Sequence, residues 1–188
     1  MHLVPLSALR SPDMRARADV APLMQLRDWL QSFLMRAHPD LGRAGAVCPF
    51  TAQAARLDAI RLGASDATAA DVEAIEAQVR AAVEAFETIE TPKNQRIFRA
   101  VVVAFPGCAG AEGVAALQRA AKRHRLKSVI NGRMIAVFHA DADAEGLWNP
   151  AFRPLRAPIP VFAVREMAPQ DAPFALQQLL MLPGYLRR

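Results

Sequence analysis

Ile97-Phe-Arg-Ala-Val-Val-Val-Ala-Phe105 is the stretch on which the fold turns. Val101 to Phe105 is a continuous apolar run with three β-branched residues, closed by Pro106-Gly107. Such a run suits a strand buried on both faces in the middle of a sheet. Upstream, Val72, Ile75, Val79, Val83, Phe86 and Ile89 recur at steps of three or four, which predicts one face of a long helix. Ser65, Asp66 and Thr68 are its candidate caps, and Pro92 its stop. Downstream, Ala111 to His124 reads as a second amphipathic helix, with Val114, Leu117 and Ala121 inward.

Further out, Asn131-Gly132 signals a turn. Arg133 to Phe138 reads as a strand ending at His139, and Asp141 to Pro158 as a long irregular loop. Ile159 to Arg165 is a last strand, and Asp171 to Leu182 a last helix. On the N-terminal side, Leu57 to Leu62 fits a strand or a helical turn. Ala21 to Ala37 is a helix with Leu23, Leu26, Trp29, Leu30, Phe33 and Leu34 on one face, stopped by His38-Pro39. Residues 1–20 read as a tail or an arm packed on the body, and residues 21–188 as one domain. The expected fold is α+β, a mixed β-sheet of about four strands packed with helices. It is close to a twice-repeated β-α-β plan, ferredoxin-like or related.

The chain has 188 residues, 53% apolar and 22% charged, a globular composition that excludes a mostly disordered protein. Cys48 and Cys108 are the only cysteines, too few for a disulfide framework. No apolar run reaches the roughly 18–20 residues that cross a bilayer, and the start lacks the apolar core of a secretory signal. A cytoplasmic location without membrane attachment is expected. Net charge is +5, with arginine supplying 20 of the 23 cations. The densest cluster, Lys122, Arg123, His124, Arg125 and Lys127, suits a helix C-terminus that complements the macrodipole. Aromatic residues are too sparse for a base-stacking platform, so no nucleic-acid partner is expected.

Candidate chemistry concentrates in two loops, His38 to Phe50 and His139 to Pro158. Prolines 150, 154, 158 and 160 stiffen the second, and Trp148, Phe152 and Leu155 give it area to bury. Arg153 and Arg156 stand in that stiff segment and suit a carboxylate or phosphate, or else pair with acids and loop carbonyls. His139 could ligate a metal or haem iron or act as a base, and His38 is a second candidate, although a lone histidine is more often structural. Cys48-Pro49 could supply a thiolate ligand or a small buried side chain. Asp141, Asp143 and Glu145 read as a solvated turn, since too few ligands follow for a calcium loop. No zinc spacing, dinucleotide or phosphate loop, or nucleophile elbow is present.

His38-Pro-Asp-Leu-Gly-Arg43, Val47-Cys-Pro-Phe50, Asn149-Pro-Ala-Phe-Arg-Pro-Leu-Arg-Ala-Pro158 and Val164-Arg-Glu-Met167 with Asp171 resemble a bacterial domain family of unknown function. The resemblance spans roughly residues 30–186, and the family tends to occur alone or in secondary-metabolite pathways. More remotely, the loop after the first helix and the strand ending Phe138-His139-Ala140 are similar to YqcI/YcgG-like proteins, some of them haem-dependent N-oxygenases. Ala140 departs from that pattern, where proline is expected. The remote resemblance implies a haem cofactor with His139 as axial ligand, and Arg153 and Arg156 on haem propionates or a substrate carboxylate. Met134, Phe138, Trp148 and Phe152 would line the pocket. Cys48 and His38 complete the candidate cofactor-binding set.

Two functional expectations follow. One is a haem-binding oxidoreductase of secondary metabolism acting on a small amino-acid-like or nitrogenous substrate. The other is a non-enzymatic small-molecule-binding or accessory protein of a biosynthetic pathway. A cofactor-free enzyme using His38 or His139 as general base is a third arrangement, for which no orienting partner is visible nearby in sequence. The expected partners are a small molecule and, in one arrangement, a second copy of the chain in a homodimer.

Overall fold

The computed structural model describes residues 1–171. Its strands are β1 (Val4–Pro5), β2 (Ile60–Ala64), β3 (Ala100–Ala104), β4 (Arg133–Phe138) and β5 (Val161–Glu166). Its α-helices are α1 (Val20–Trp29), α2 (Thr51–Arg56), α3 (Val72–Glu87) and α4 (Ala111–Ile130). The strands form one mixed sheet in the order β1-β2-β3-β5-β4, with β3 at the centre. β2 and β3 are parallel, while β5 runs antiparallel to both β3 and β4. The α+β class with a mixed sheet is therefore found, as five strands rather than four.

Strand alternation divides the core into two layers. Val101, Val103, Phe105, Ile135, Val137, Phe162 and Val164 pack beneath α3 and α4, against Ile75, Val79, Phe86, Leu117 and Ala121. Ile60, Leu62, Val102, Ala104 and Val161 face the other way, onto Leu23, Leu26, Trp29 and Leu30. β3 is thus covered on both faces, which is why its sequence does not alternate. The chain order β2-α3-β3-α4-β4-β5 is the twice-repeated β-α-β plan, with β5 inserted between β3 and β4. It differs from the β-α-β-β-α-β order of a ferredoxin-like chain.

Several boundaries move, each for a local reason. The central strand starts at Ala100, because Lys93–Phe98 winds as a 3-10 helix behind Pro92. Asp71, not Ser65, Asp66 or Thr68, caps α3: its carboxylate accepts the Ala74 N–H at 2.8 Å. Ser65 instead accepts the Ala67 N–H at 3.1 Å within the preceding loop. Val72, placed on the inward face by spacing, is 43% exposed in the first turn. The first helix becomes a π-helix at Leu30–Leu34, with the Met35 N–H reaching the Leu30 carbonyl at 2.9 Å. Leu57 to Leu62 divides between a turn, with Asp58 at φ 50°, and the start of β2. The expected helix from Asp171 to Leu182 lies outside the described residues beyond Asp171 itself.

α4 continues past His124 to Ile130, so of the basic cluster only Lys127 falls in the last turn. Arg123 pairs across to Glu76 of α3. Burial between the helices pushes the His124 imidazole below its ordinary pKa, and Glu76 partly opposes that shift.

Where β3 begins and β5 ends, ionic side chains enter the core. Arg99 is 5% exposed; its guanidinium donates to Glu166 Oε2 at 2.7 Å and to the Ile89 carbonyl at 3.2 Å. It also lies over the Phe86 ring, 4.7 Å from its centroid. Arg133 approaches the same ring and pairs with Glu87. Arg165 makes a bidentate fork on Asp171, at 2.6 and 2.7 Å.

Candidate functional site

The π-helical segment delivers the chain into the first loop. His38 Nδ1 accepts the Asp40 N–H at 3.2 Å, which caps the short turn Pro39–Leu41 and leaves the proton of the neutral ring on Nε2. Gly42 follows in the left-handed region at φ 79°. The Arg43 guanidinium donates to the carbonyls of Ala44, Ala46 and Val47, at 2.9, 2.9 and 3.1 Å, and so staples the loop. Cys48 is tied by its N–H to the Leu34 carbonyl at 2.9 Å, and its half-buried side chain packs on the α1 layer.

The second loop is equally organised. The Phe152 N–H closes a turn onto the Asn149 carbonyl at 3.0 Å, and Gly146 donates back to the Phe152 carbonyl at 2.9 Å. The Arg156 N–H returns to the Arg153 carbonyl at 3.3 Å. Trp29 Nε1 donates to the Arg156 carbonyl at 3.1 Å, anchoring the loop to α1. Arg153 donates to the Pro150 and Phe152 carbonyls, and Arg156 Nε to the Ala142 carbonyl at 3.4 Å.

The two loops meet. Asn149 Nδ2 donates to the Asp40 carbonyl at 2.8 Å. The His38 ring sits 4.8 Å from Phe152, and Phe33 lies 6.1 Å from each. Gly42 packs so closely on Trp148 that a Cβ there would come within 2.9 Å of the Trp148 carbonyl. Yet the Trp148 side chain is turned out, with the residue 62% exposed.

His139 opens the second loop on the side of α4. Its Nε2 is 3.3 Å from Gln118 Nε2 on α4, and its backbone bonds to Leu155 and Ala157. Neighbouring Phe138 projects into the α1 layer, edge-on to Trp29 at 5.1 Å. His38 and Cys48 thus stand on the first loop, and His139, Arg153 and Arg156 on the second, with the His139 ring turned to Gln118 of α4. Spacing alone missed Gly42, Asn149, Phe33 and Gln118. The Asn149-Pro150 pair was the available signal, and Asn149 Oδ1 indeed accepts the Ala151 N–H at 3.0 Å in an Asx turn.

Residues 23–188 match a family model described as a domain of unknown function, DUF6875. The chain belongs to this family. No curated protein and no solved structure matches it. Among the described residues of this DUF6875 domain, no helix is long and apolar enough to cross a membrane.

A haem would need one axial donor facing an apolar slot wide enough for a macrocycle. The residues of the DUF6875 domain do not fit that need as a single set. His139 contacts Gln118 on α4, whereas Phe138 turns to Trp29 and Cys48 packs on the α1 layer. Among the described residues no group of three or more His, Cys, Asp or Glu side chains could hold a metal ion. Two surface cavities lie elsewhere, about 340 Å³ beside Leu9, Met14 and Met24, and about 420 Å³ beside Ala69, Ala111 and Arg119.

The loop junction has a sensitive point at Gly42. Gly42→Ala adds a methyl group against Trp148 backbone and forces a side chain into positive φ. We expect the loops to separate. Acrylamide quenching of Trp148 should rise and amide exchange at Asn149 should accelerate, with the sheet's exchange unchanged. Identical quenching and exchange in the variant would refute this coupling.

Proposed function

We propose that this DUF6875 domain is a small-molecule-binding domain, an accessory protein of a biosynthetic pathway, whose ligand seats beside Trp148 on the junction of the two loops. One observation carries the reading. Trp148 keeps its indole in water while its backbone is clamped against Gly42 and the next residue is bonded to Asp40. An exposed aromatic on a fixed backbone loses little conformational entropy on binding and gains a large apolar contact area. His38 and Phe33, both half-buried next to Phe152, extend the same surface.

The test uses the two tryptophans. Trp29 is buried at 6% exposure, so quenching by added ligand reports on Trp148. A panel of small amino-acid-like and nitrogenous metabolites should yield at least one that changes the emission and raises the melting temperature. Both responses should vanish in Trp148→Ala while the far-UV spectrum is kept. A ligand response that survives Trp148→Ala would remove the site from this junction. Protein prepared with haem supplied should stay without a Soret band. A Soret band that shifts in His139→Ala would overturn the proposal in favour of a haem-binding oxidoreductase of secondary metabolism.

A further inference from the structure

We infer that the ligand is an organic anion with a flat body, its charge taken by Arg153 and Arg156 and its body laid against Trp148. The inference rests on the reading of the loop junction as a binding site and specifies its ligand.

Six ion pairs made by arginine are found among the described residues. Their arginines are Arg17, Arg27, Arg99, Arg123, Arg133 and Arg165. Arg153 and Arg156 belong to none of them. Asp141, Asp143 and Glu145 stand in the same loop, all exposed, and pair with neither arginine. Each arginine instead spends one nitrogen on loop carbonyls, Arg153 a terminal nitrogen and Arg156 its Nε. The remaining N–H groups of both guanidinium forks have no partner among the described residues.

Other arginines on the surface also lack an acid, but these two stand on fixed backbone. Arg153 follows the turn closed by Asn149 and Phe152, and Arg156 is held through its carbonyl by Trp29. Trp148 immediately precedes the same turn and Arg153 immediately follows it, so the two residues stand at the ends of one closed stretch of backbone. A guanidinium held this way matches a carboxylate or phosphate by paired donors, and the pairing loses less entropy than on a free side chain. An exposed aromatic side chain on the same turn favours a planar or apolar body over a bare inorganic ion.

Benzoate, phenyl phosphate and benzyl alcohol share a ring and differ in charge. Each is titrated into the full chain with Trp148 emission as readout. Benzoate or phenyl phosphate at millimolar concentration should change the emission, and benzyl alcohol should bind about tenfold more weakly or worse. The more tightly bound of the two anions tells a carboxylate ligand from a phosphate one. Arg153→Gln and Arg156→Gln should each erase the preference for the anion, while Arg153→Lys retains part of it; far-UV spectra and melting curves confirm folding. Benzyl alcohol binding as tightly as benzoate would overturn the anion inference and leave the junction standing as a site. Emission unchanged by all three probes would overturn the inference too. A neutral metabolite that still passes the Trp148→Ala test would then show that the junction reading survives.

Discussion

Gly113→Ala should destabilise the protein, although it places a better helix former inside a twenty-residue helix. At an open helical position the exchange gains about 1 kcal/mol. Here a Cβ would lie 2.6 Å from the carbonyl carbon and the Cα of Cys108, and closer still to its oxygen. Those atoms are backbone, fixed in the turn Pro106–Cys108 that links β3 to α4. Rotamer change cannot relieve the contact, so α4 must lift or the turn must shift. Lifting α4 would loosen Leu117 and Ala121 from the sheet, both wholly buried. The expected loss is about 2–3 kcal/mol, the upper range for overpacking. For a chain of this size that is a fall of roughly 5–10 °C in Tm. Calorimetry of the single variant is sufficient; a Tm at or above that of the parent chain would show that the turn yields freely.

Glu166→Ala is expected to have a comparable or larger effect, by a different route. It leaves the Arg99 guanidinium in the core with only the Ile89 carbonyl and the Phe86 ring as company. Arg99 Nε already has no hydrogen-bond partner. Removing one partner of a buried ion pair costs about 3–5 kcal/mol. The Glu166 side chain is 23% exposed, so water can reach the vacated space and the lower end applies. Urea denaturation should show the midpoint falling with the slope retained. The double variant Arg99→Met with Glu166→Leu should recover much of the loss, because it removes both charges and keeps the volume. Equal stability of Glu166→Ala and the parent chain would mean that solvent already satisfies Arg99. The exposed neighbour pair Arg27 and Asp28 offers the contrast, where loss of the partner should cost about 0–1 kcal/mol.

The parts legible in the sequence were those set by local periodicity. The β4 strand Arg133–Phe138 has the expected limits, because Asn131-Gly132 starts it and the loop at His139 ends it. The α3 helix carries Ile75, Val79 and Phe86 inward at helical spacing, all wholly buried. What failed depended on partners distant in sequence. β1 is two residues long and exists only because Val4 and Pro5 pair with Leu62 and Arg61. α2 is a single short helix with no amphipathic stripe long enough to detect. At the candidate site, both loops were visible as Gly- and Pro-rich stretches. Their meeting through Asn149 and Asp40 was not, since those residues are 109 positions apart. The same limit hid the contact of the His139 ring with Gln118 of α4. A strand's alternation sends Phe138 and its neighbours to opposite layers, and only the three-dimensional sheet shows which layer holds the other loop.

The opening arm carries a lesson about boundaries. The family match begins at residue 23, inside α1. Yet Val4, Leu6, Leu9 and Met14 are buried, and the outer ladder of β2 is completed by residues that precede the match. The buried core therefore takes in residues that precede the matched segment. Excision at the start of the match would bare the outer backbone of Arg61 and Leu62, an edge of the kind through which sheets from separate molecules join. In this protein the segment before the family match covers part of one edge of the sheet, and β4 forms the other edge.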